Sequence, residues 1–290
     1  MYSIIIPTYG TYGTIMVDNL LESVSKFNNQ SLDEIIISVD SSNDDTKYKL
    51  NEIKQKYDNL FNGNIKLIFN PNYHSFSKTV NNGIKIANLS NDILLLNNDT
   101  KALTSFESFV NFINLNRINN NDNKIGIIGA KLLFPNMTIQ HSGIVRGKFT
   151  TGFRHIYAHE NGNITETNYQ RKYIAVTGAC FYINRELINK IGYFDENYEM
   201  SYEDIDYCIN AQLNGYEVWY NPDVKMIHYE KKTRQNTTNE YHNNSYFWNK
   251  WGSLYEQLDP EIRKEDYVKA GVAITGMLAF IYLTKRKKTT

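Results

Sequence analysis

The chain has 290 residues, with 31 Lys+Arg against 31 Asp+Glu, so its formal net charge is zero. That length can bury a full core as one large domain or two small ones. The even charge excludes a general nucleic-acid binder, whose affinity needs a basic face.

The chain opens on a short apolar run, 3–7, that ends at Pro7 and reads as a buried parallel strand. Positions 15–27 then place Val17, Leu20, Leu21, Val24 and Phe27 on one helical face. A second strand, 34–39, closes on Asp40-Ser41-Ser42-Asn43-Asp44-Asp45, a run of turn and cap residues. Helix 46–57, strand 65–69, helix 77–87 and strand 92–96 follow. Strands alternating with helices at this spacing predict a doubly wound α/β sheet. In such sheets ligands sit at the carboxyl ends of the strands, and three of these ends carry polar residues: Thr8 with Tyr9, Asp40, and Asp99.

Beyond residue 100 the pattern changes. Residues 125–133 read as a strand pair or bend, 140–145 as a short strand, 147–169 as a long loop or β-excursion, and 173–183 as an apolar strand. Helices are expected at 185–191 and 204–214 and a strand at 217–220. The polar stretch 231–239 leads to a Tyr/Trp-rich helix near 241–258. Cys180 and Cys208 lack metal-ligand spacing and read as buried thiols. No basic n-region precedes the first apolar run, so the expected location is cytoplasmic. Residues 270–284 carry no charge and run into Lys285-Arg286-Lys287-Lys288. A membrane-surface helix or short anchor over 267–288 is the expectation for this tail.

The densest chemical signal lies in 192–208, where Asp195, Glu196, Glu199, Glu203, Asp204 and Asp206 stand among aromatics. Such a cluster repels itself and needs a compensating cation, a positively charged substrate or a use for a base. Together with His228 and the strand end Asn97-Asn98-Asp99-Thr100, it suggests a metal-diphosphate site with a carboxylate base. A nucleotidyltransferase would want a basic triphosphate loop, and Gly10-Thr11-Tyr12-Gly13 has no Arg or Lys. A dehydrogenase would want a G-x-G-x-x-G after the first strand, and none is present.

The chain resembles the family 2 glycosyltransferases of the GT-A fold, in their rhamnosyltransferase-like branch, over roughly 2–255. The resemblance is carried by Ile5-Ile6-Pro7-Thr8-Tyr9, Ser38-Val39-Asp40, Phe76-Ser77-Lys78-Thr79-Val80-Asn81-Asn82-Gly83 and Leu95-Leu96-Asn97-Asn98-Asp99-Thr100. It continues through Gln140-His141-Ser142-Gly143, Thr177-Gly178-Ala179-Cys180 and Phe194-Asp195-Glu196, then Tyr202-Glu203-Asp204-Ile205-Asp206 and Ile227-His228. Asn97 departs from the pattern, standing where many members carry the first acid of a D-x-D motif.

The resemblance implies a mixed α/β sheet flanked by helices, with a C-terminal helical extension. It divides the chain into a nucleotide-sugar half, 1–100, an acceptor and catalytic half of the same domain, 101–232, and the extension, 233–290. It implies an inverting, metal-dependent transfer from a UDP- or dTDP-sugar to a hydroxyl of a glycan or glycoconjugate. Asp204 would be the base, with Glu203 as runner-up. Asp99 and His228 would hold Mn²⁺ or Mg²⁺. Pro7, Thr8, Tyr9, Asp40, Lys78 and Asn98 would bind the nucleotide, and Gly178, Ala179 and Trp251 would meet sugar or acceptor. The departure at Asn97 keeps a non-catalytic sugar-nucleotide binder as the alternative.

Overall fold

The computed structural model describes residues 1–72, 75–120, 124–147, 152–199, 201–230 and 240–255. The first half alternates β1 (Tyr2–Tyr9), α1 (Gly10–Val24), β2 (Leu32–Asp40), α2 (Asp44–Tyr57), β3 (Ile65–Phe69), α3 (Phe76–Ile86) and β4 (Asp92–Leu96). All residues of β1 but Tyr9 are buried, as expected for a strand covered by helices on both faces. Asn43 caps α2 by accepting from Thr46 N, with Asp44 and Asp45 in the first turn and Lys54 and Lys56 in the last. Ser75 caps α3 in the same way, accepting from Lys78 N.

Two short pieces then open the second half, β5 (Thr100–Ala102) and α4 (Glu107–Asn120). They lead into β6 (Ile125–Leu133), β7 (Ile139–His141), β8 (Ile144–Arg146), β9 (Phe153–His155), β10 (Arg171–Lys172), β11 (Cys180–Ile183), α5 (Arg185–Ile191), α6 (Glu203–Leu213), β12 (Glu217–His228) and α7 (Glu240–Tyr255). One sheet runs through both halves in the order β10-β12-β6-β11-β4-β1-β2-β3, with β5 added on β12 and β7 on β6. The strands β1 to β4 are parallel, β11 runs antiparallel to β4 and β6, and β12 is parallel to β6. The sheet is therefore mixed, and β11 joins the two halves.

Several elements differ from expectation. Residues 125–133 form one strand, buried throughout. Of 173–183 only Cys180–Ile183 is regular strand. The expected strand 140–145 is split at Gly143, whose φ of 121° suits glycine, and whose added Cβ would collide with the Tyr173 ring. The strand at 217–220 continues to His228, because its later residues pair with β5 as well as β6. Helix α4 had no counterpart in the sequence reading. It buries Phe109, Phe112 and Ile113 but exposes Leu115 and Ile118 (59% and 78%), which blurs its apolar stripe.

No helix among the described residues is long and apolar enough to cross a membrane. The expected surface helix or anchor at 267–288 lies outside the described residues.

Candidate functional site

The carboxyl ends of β1, β2 and β4 collect the first group of expected residues. Pro7, Thr8 and Tyr9 pair in register with Ser38, Val39 and Asp40. Thr8 and Asp40 are buried at 3%, and Tyr9 stays exposed at the rim. Thr8 Oγ1 is buried without a hydrogen-bond partner, as is Asn97 Oδ1 at the end of β4. Buried polar atoms are normally satisfied, so two left open at one end of a sheet mark a place for a ligand. Helix α1 starts close against this floor: a Cβ on Gly13 would lie 2.7 Å from Thr8 Cγ2 and 3.1 Å from Asn98 Nδ2. Lys78 lies in the first turn of α3 and is partly buried.

Asp99 and His228, 129 positions apart in the sequence, meet because β12 ends beside β5, with His228 opposite Thr100. His228 Nε2 lies 3.2 Å from Asp99 Oδ1, and both side chains are largely covered, at 13% and 7% exposure. Tyr229 N donates to the Asp99 carbonyl and locks the corner. Among the described residues no group of three or more His, Cys, Asp or Glu converges as a complete metal site. One carboxylate oxygen and one imidazole nitrogen nevertheless form a donor pair suited to Mn²⁺, whose other positions a diphosphate can fill. The residues present fit such a cation as an open, two-ligand site.

Asp204 stands in the first turn of α6. The turn before it is strained, with Ser201 and Tyr202 at φ of 80° and 71°, a region that non-glycine residues seldom occupy. Gly178 N donates to Asp204 Oδ2 at 2.9 Å, and Ile205 N to Oδ1 at 2.8 Å. Burial raises the Asp204 pKa, and these two amides, with His155, only partly offset that push. Glu203, buried at 8%, adjoins it, and Ala179 is buried at 2%.

Two further acids of the cluster, Asp195 and Asp206, are compensated, which the sequence left open. Lys250 of α7 places Nζ 2.8 Å from both Asp195 and Asp206. Asp206 also accepts from Tyr198 Oη and from Trp251 Nε1. Trp251, expected at the acceptor, thus has its polar edge committed to Asp206 in the seam between α6 and α7.

Four residues to which the sequence assigned no role also stand at the site. Gln140 Oε1 lies 2.7 Å from His228 Nδ1, and His141 Nδ1 lies 3.1 Å from His155 Nδ1. His155 reaches solvent as a residue, yet dense protein around its imidazole lowers its pKa against the pull of Asp204 and Glu230. Burial pushes fully covered His141 well below the usual histidine value, so it is neutral at pH 7. Lys250 is the fourth. The only signal available was the Gln140-His141 motif, and its contacts lie 14 and 88 positions away.

Over residues 1–249 the chain matches the family model described as Glycosyltransferase like family 2. It is 31% identical over 118 residues to the O-antigen biosynthesis protein RfbC of Myxococcus xanthus, covering 39% of this chain and 9% of that protein. It is 33% identical over 114 residues to protein y4gI of Sinorhizobium fredii, covering 38% and 12%. The matches therefore span only about a tenth of these curated relatives. Among solved structures, GalNAc-T7 with UDP, GalNAc and Mn²⁺ is similar at a TM-score of 0.67 and 18% identity, over 88% of this chain and 49% of that one. The mannosyltransferase PcManGT from Pyrobaculum calidifontis, with GDP-Man and Mn²⁺, is similar at 0.56 and 13%, over 80% and 57%. S. aureus TarS is similar at 0.53 and 18%, over 79% and 36%. At these identities the likeness establishes the GT-A fold.

Proposed function

Since the chain belongs to the family 2-like glycosyltransferases, we propose that it moves a sugar, with inversion, from a UDP- or dTDP-sugar to a hydroxyl of a glycan or glycoconjugate. The observation that carries this reading is the convergence of Asp99 and His228 at the sheet's carboxyl edge. Those two residues would hold Mn²⁺ or Mg²⁺, which when bound supplies positive charge against the diphosphate leaving group.

The protein's own groups account for the rest. Thr8, Tyr9, Asp40 and Asn98 line the nucleotide end, with Pro7 ordering the strand beneath them and Lys78 within the first turn of α3. Asp204, held by two main-chain amides, takes the proton of the acceptor hydroxyl as that oxygen bonds to the sugar anomeric carbon. The bond from that carbon to the diphosphate oxygen breaks in the same displacement, and the nucleoside diphosphate leaves with the electron pair. A raised pKa makes Asp204 a stronger base than an ordinary aspartate. Gly178 contributes its N–H to the base rather than a side chain, and with Ala179 leaves room for the sugar. Glu203 is the second candidate for the base.

The test is nucleoside-diphosphate release from a panel of nucleotide sugars, with Mn²⁺ and with EDTA, for the native chain and Asp204→Asn. Metal-dependent release from one donor, reduced about 10²–10⁴-fold by Asp204→Asn, is the expected result. UDP binding should survive that substitution. Release that is indifferent to EDTA and to Asp204→Asn would contradict the reading. Asn97 in place of an acid favours a second reading, a binder without turnover, which predicts UDP binding with no release for any donor and acceptor pair.

A further inference from the structure

Gln140, 8% exposed on β7, takes no part in the reaction just described, yet it touches the imidazole that the reaction needs. Its Oε1 lies 2.7 Å from His228 Nδ1, and its Nε2 donates to Glu230 Oε2 at 3.4 Å. A carboxylate only accepts, so Glu230 draws the NH₂ end of the amide and leaves Oε1 for the ring. A carbonyl oxygen also only accepts, so His228 carries its proton on Nδ1 and turns the Nε2 lone pair toward Asp99 Oδ1, 3.2 Å away. Two acceptors facing each other at that distance repel. The pair comes to rest with a cation between them, or with a second proton on the ring.

We infer that Gln140 is a positioning residue that sets the Nδ1–H tautomer of His228, so that Nε2 and Asp99 stand ready as a pair of cation donors. The inference rests on Asp99 and His228 being the ligands proposed above. A ligating histidine usually gives its second N–H to a carboxylate or main-chain carbonyl, which fixes the ring and raises its basicity. Here a side-chain amide does so, and its own direction is set by Glu230. Orientation therefore passes from Glu230 through Gln140 to the ring. Because the amide is neutral, it steers the imidazole without adding a third negative charge beside Glu230 and Asp99.

The test uses the full chain with UDP, measuring Mn²⁺ affinity by EPR of the free ion and the ring tautomer by ¹⁵N NMR without metal. With six histidines in the chain, single replacements assign the signals. The native His228 should show Nδ1–H. Gln140→Leu, which keeps the bulk and loses the acceptor, should weaken Mn²⁺ binding about 10–100-fold and mix the tautomers, with its thermal unfolding still cooperative. Gln140→Glu combined with Glu230→Gln, which exchanges the acid and the amide, keeps an acceptor at Nδ1 and should recover most of the affinity. Native-like Mn²⁺ binding by Gln140→Leu, or a native ring protonated at Nε2, would overturn the positioning role while leaving the cation site standing. A native chain that binds UDP but no Mn²⁺ would instead sink the cation site, and this inference with it. Should Gln140→Leu fail to fold, the native tautomer still decides.

Discussion

Asp204, the proposed base, illustrates what a single residue would give up for a reaction. Its carboxyl is raised above the ordinary aspartate value of 3.8, with burial the leading cause. The folded chain therefore holds that proton at pH values where the unfolded chain has released it. By linkage, stability drawn from this group is present below 3.8 and is lost as pH rises through the higher folded value. Ionised Asp204 thus costs stability at neutral pH, while Asp204→Asn, with one acceptor oxygen for two donating amides, should lose transfer. In the native enzyme, the acidic limb of kcat/KM should fall at a pH above that of an ordinary aspartate. A limb at or below 3.8 would remove Asp204 from the role of base. The acidic cluster and the polar strand ends singled out Asp99, Asp204 and His228 in the sequence, whereas His141, His155 and Lys250, equally ionisable, were given no role. Lys131 was equally conspicuous in the buried run of β6, but its partners Thr167 and Asn168, 36 and 37 positions on, were not.

Elements were readable where period and caps agreed. Strands β3 and β4 and helix α5 match their expected bounds, since each is a short apolar or amphipathic run between clear breakers. Helix α4 was missed because its exposed Leu115 and Ile118 compete with the buried face. The start of α1 was placed five residues late, because Gly10-Thr11-Tyr12-Gly13 looks like loop. That error conceals a constraint. Gly13 sits where α1 presses on Thr8 and Asn98, so the methyl of Gly13→Ala enters the floor proposed for the nucleotide. Alanine would favour the helix, but overpacking of this kind costs about 1–3 kcal/mol. UDP affinity should fall, as titration calorimetry would read it, with little change in helix content. Unchanged affinity would mean that Thr8 and Asn98 do not face the nucleotide.

For the molecule as a whole, α7 is the part whose role the sequence concealed. Its Trp251 was expected to meet sugar or acceptor. In the structure Phe247 joins Tyr198 and Ile209 in a small core. Lys250 separates Asp195 from Asp206, two carboxylates that would otherwise repel each other in a covered place. Lys250→Met should lower stability by about 1–2 kcal/mol, a figure reduced because Lys250 is itself 32% exposed. An unaltered denaturation midpoint would show the acids to be balanced elsewhere. At its far end α7 grips the β8–β9 hairpin: Tyr255 Oη both accepts from Gly152 N and donates to Gly152 O, and Phe153 packs on Phe247 and Trp248. One helix thus braces the loop that leads into Asp204 and the hairpin that carries His155. A chimera that transplants only residues 144–155 from a relative would leave that hairpin resting on a mismatched helix. The transferable cassette is the hairpin together with α7, two segments about a hundred residues apart that pack as one part.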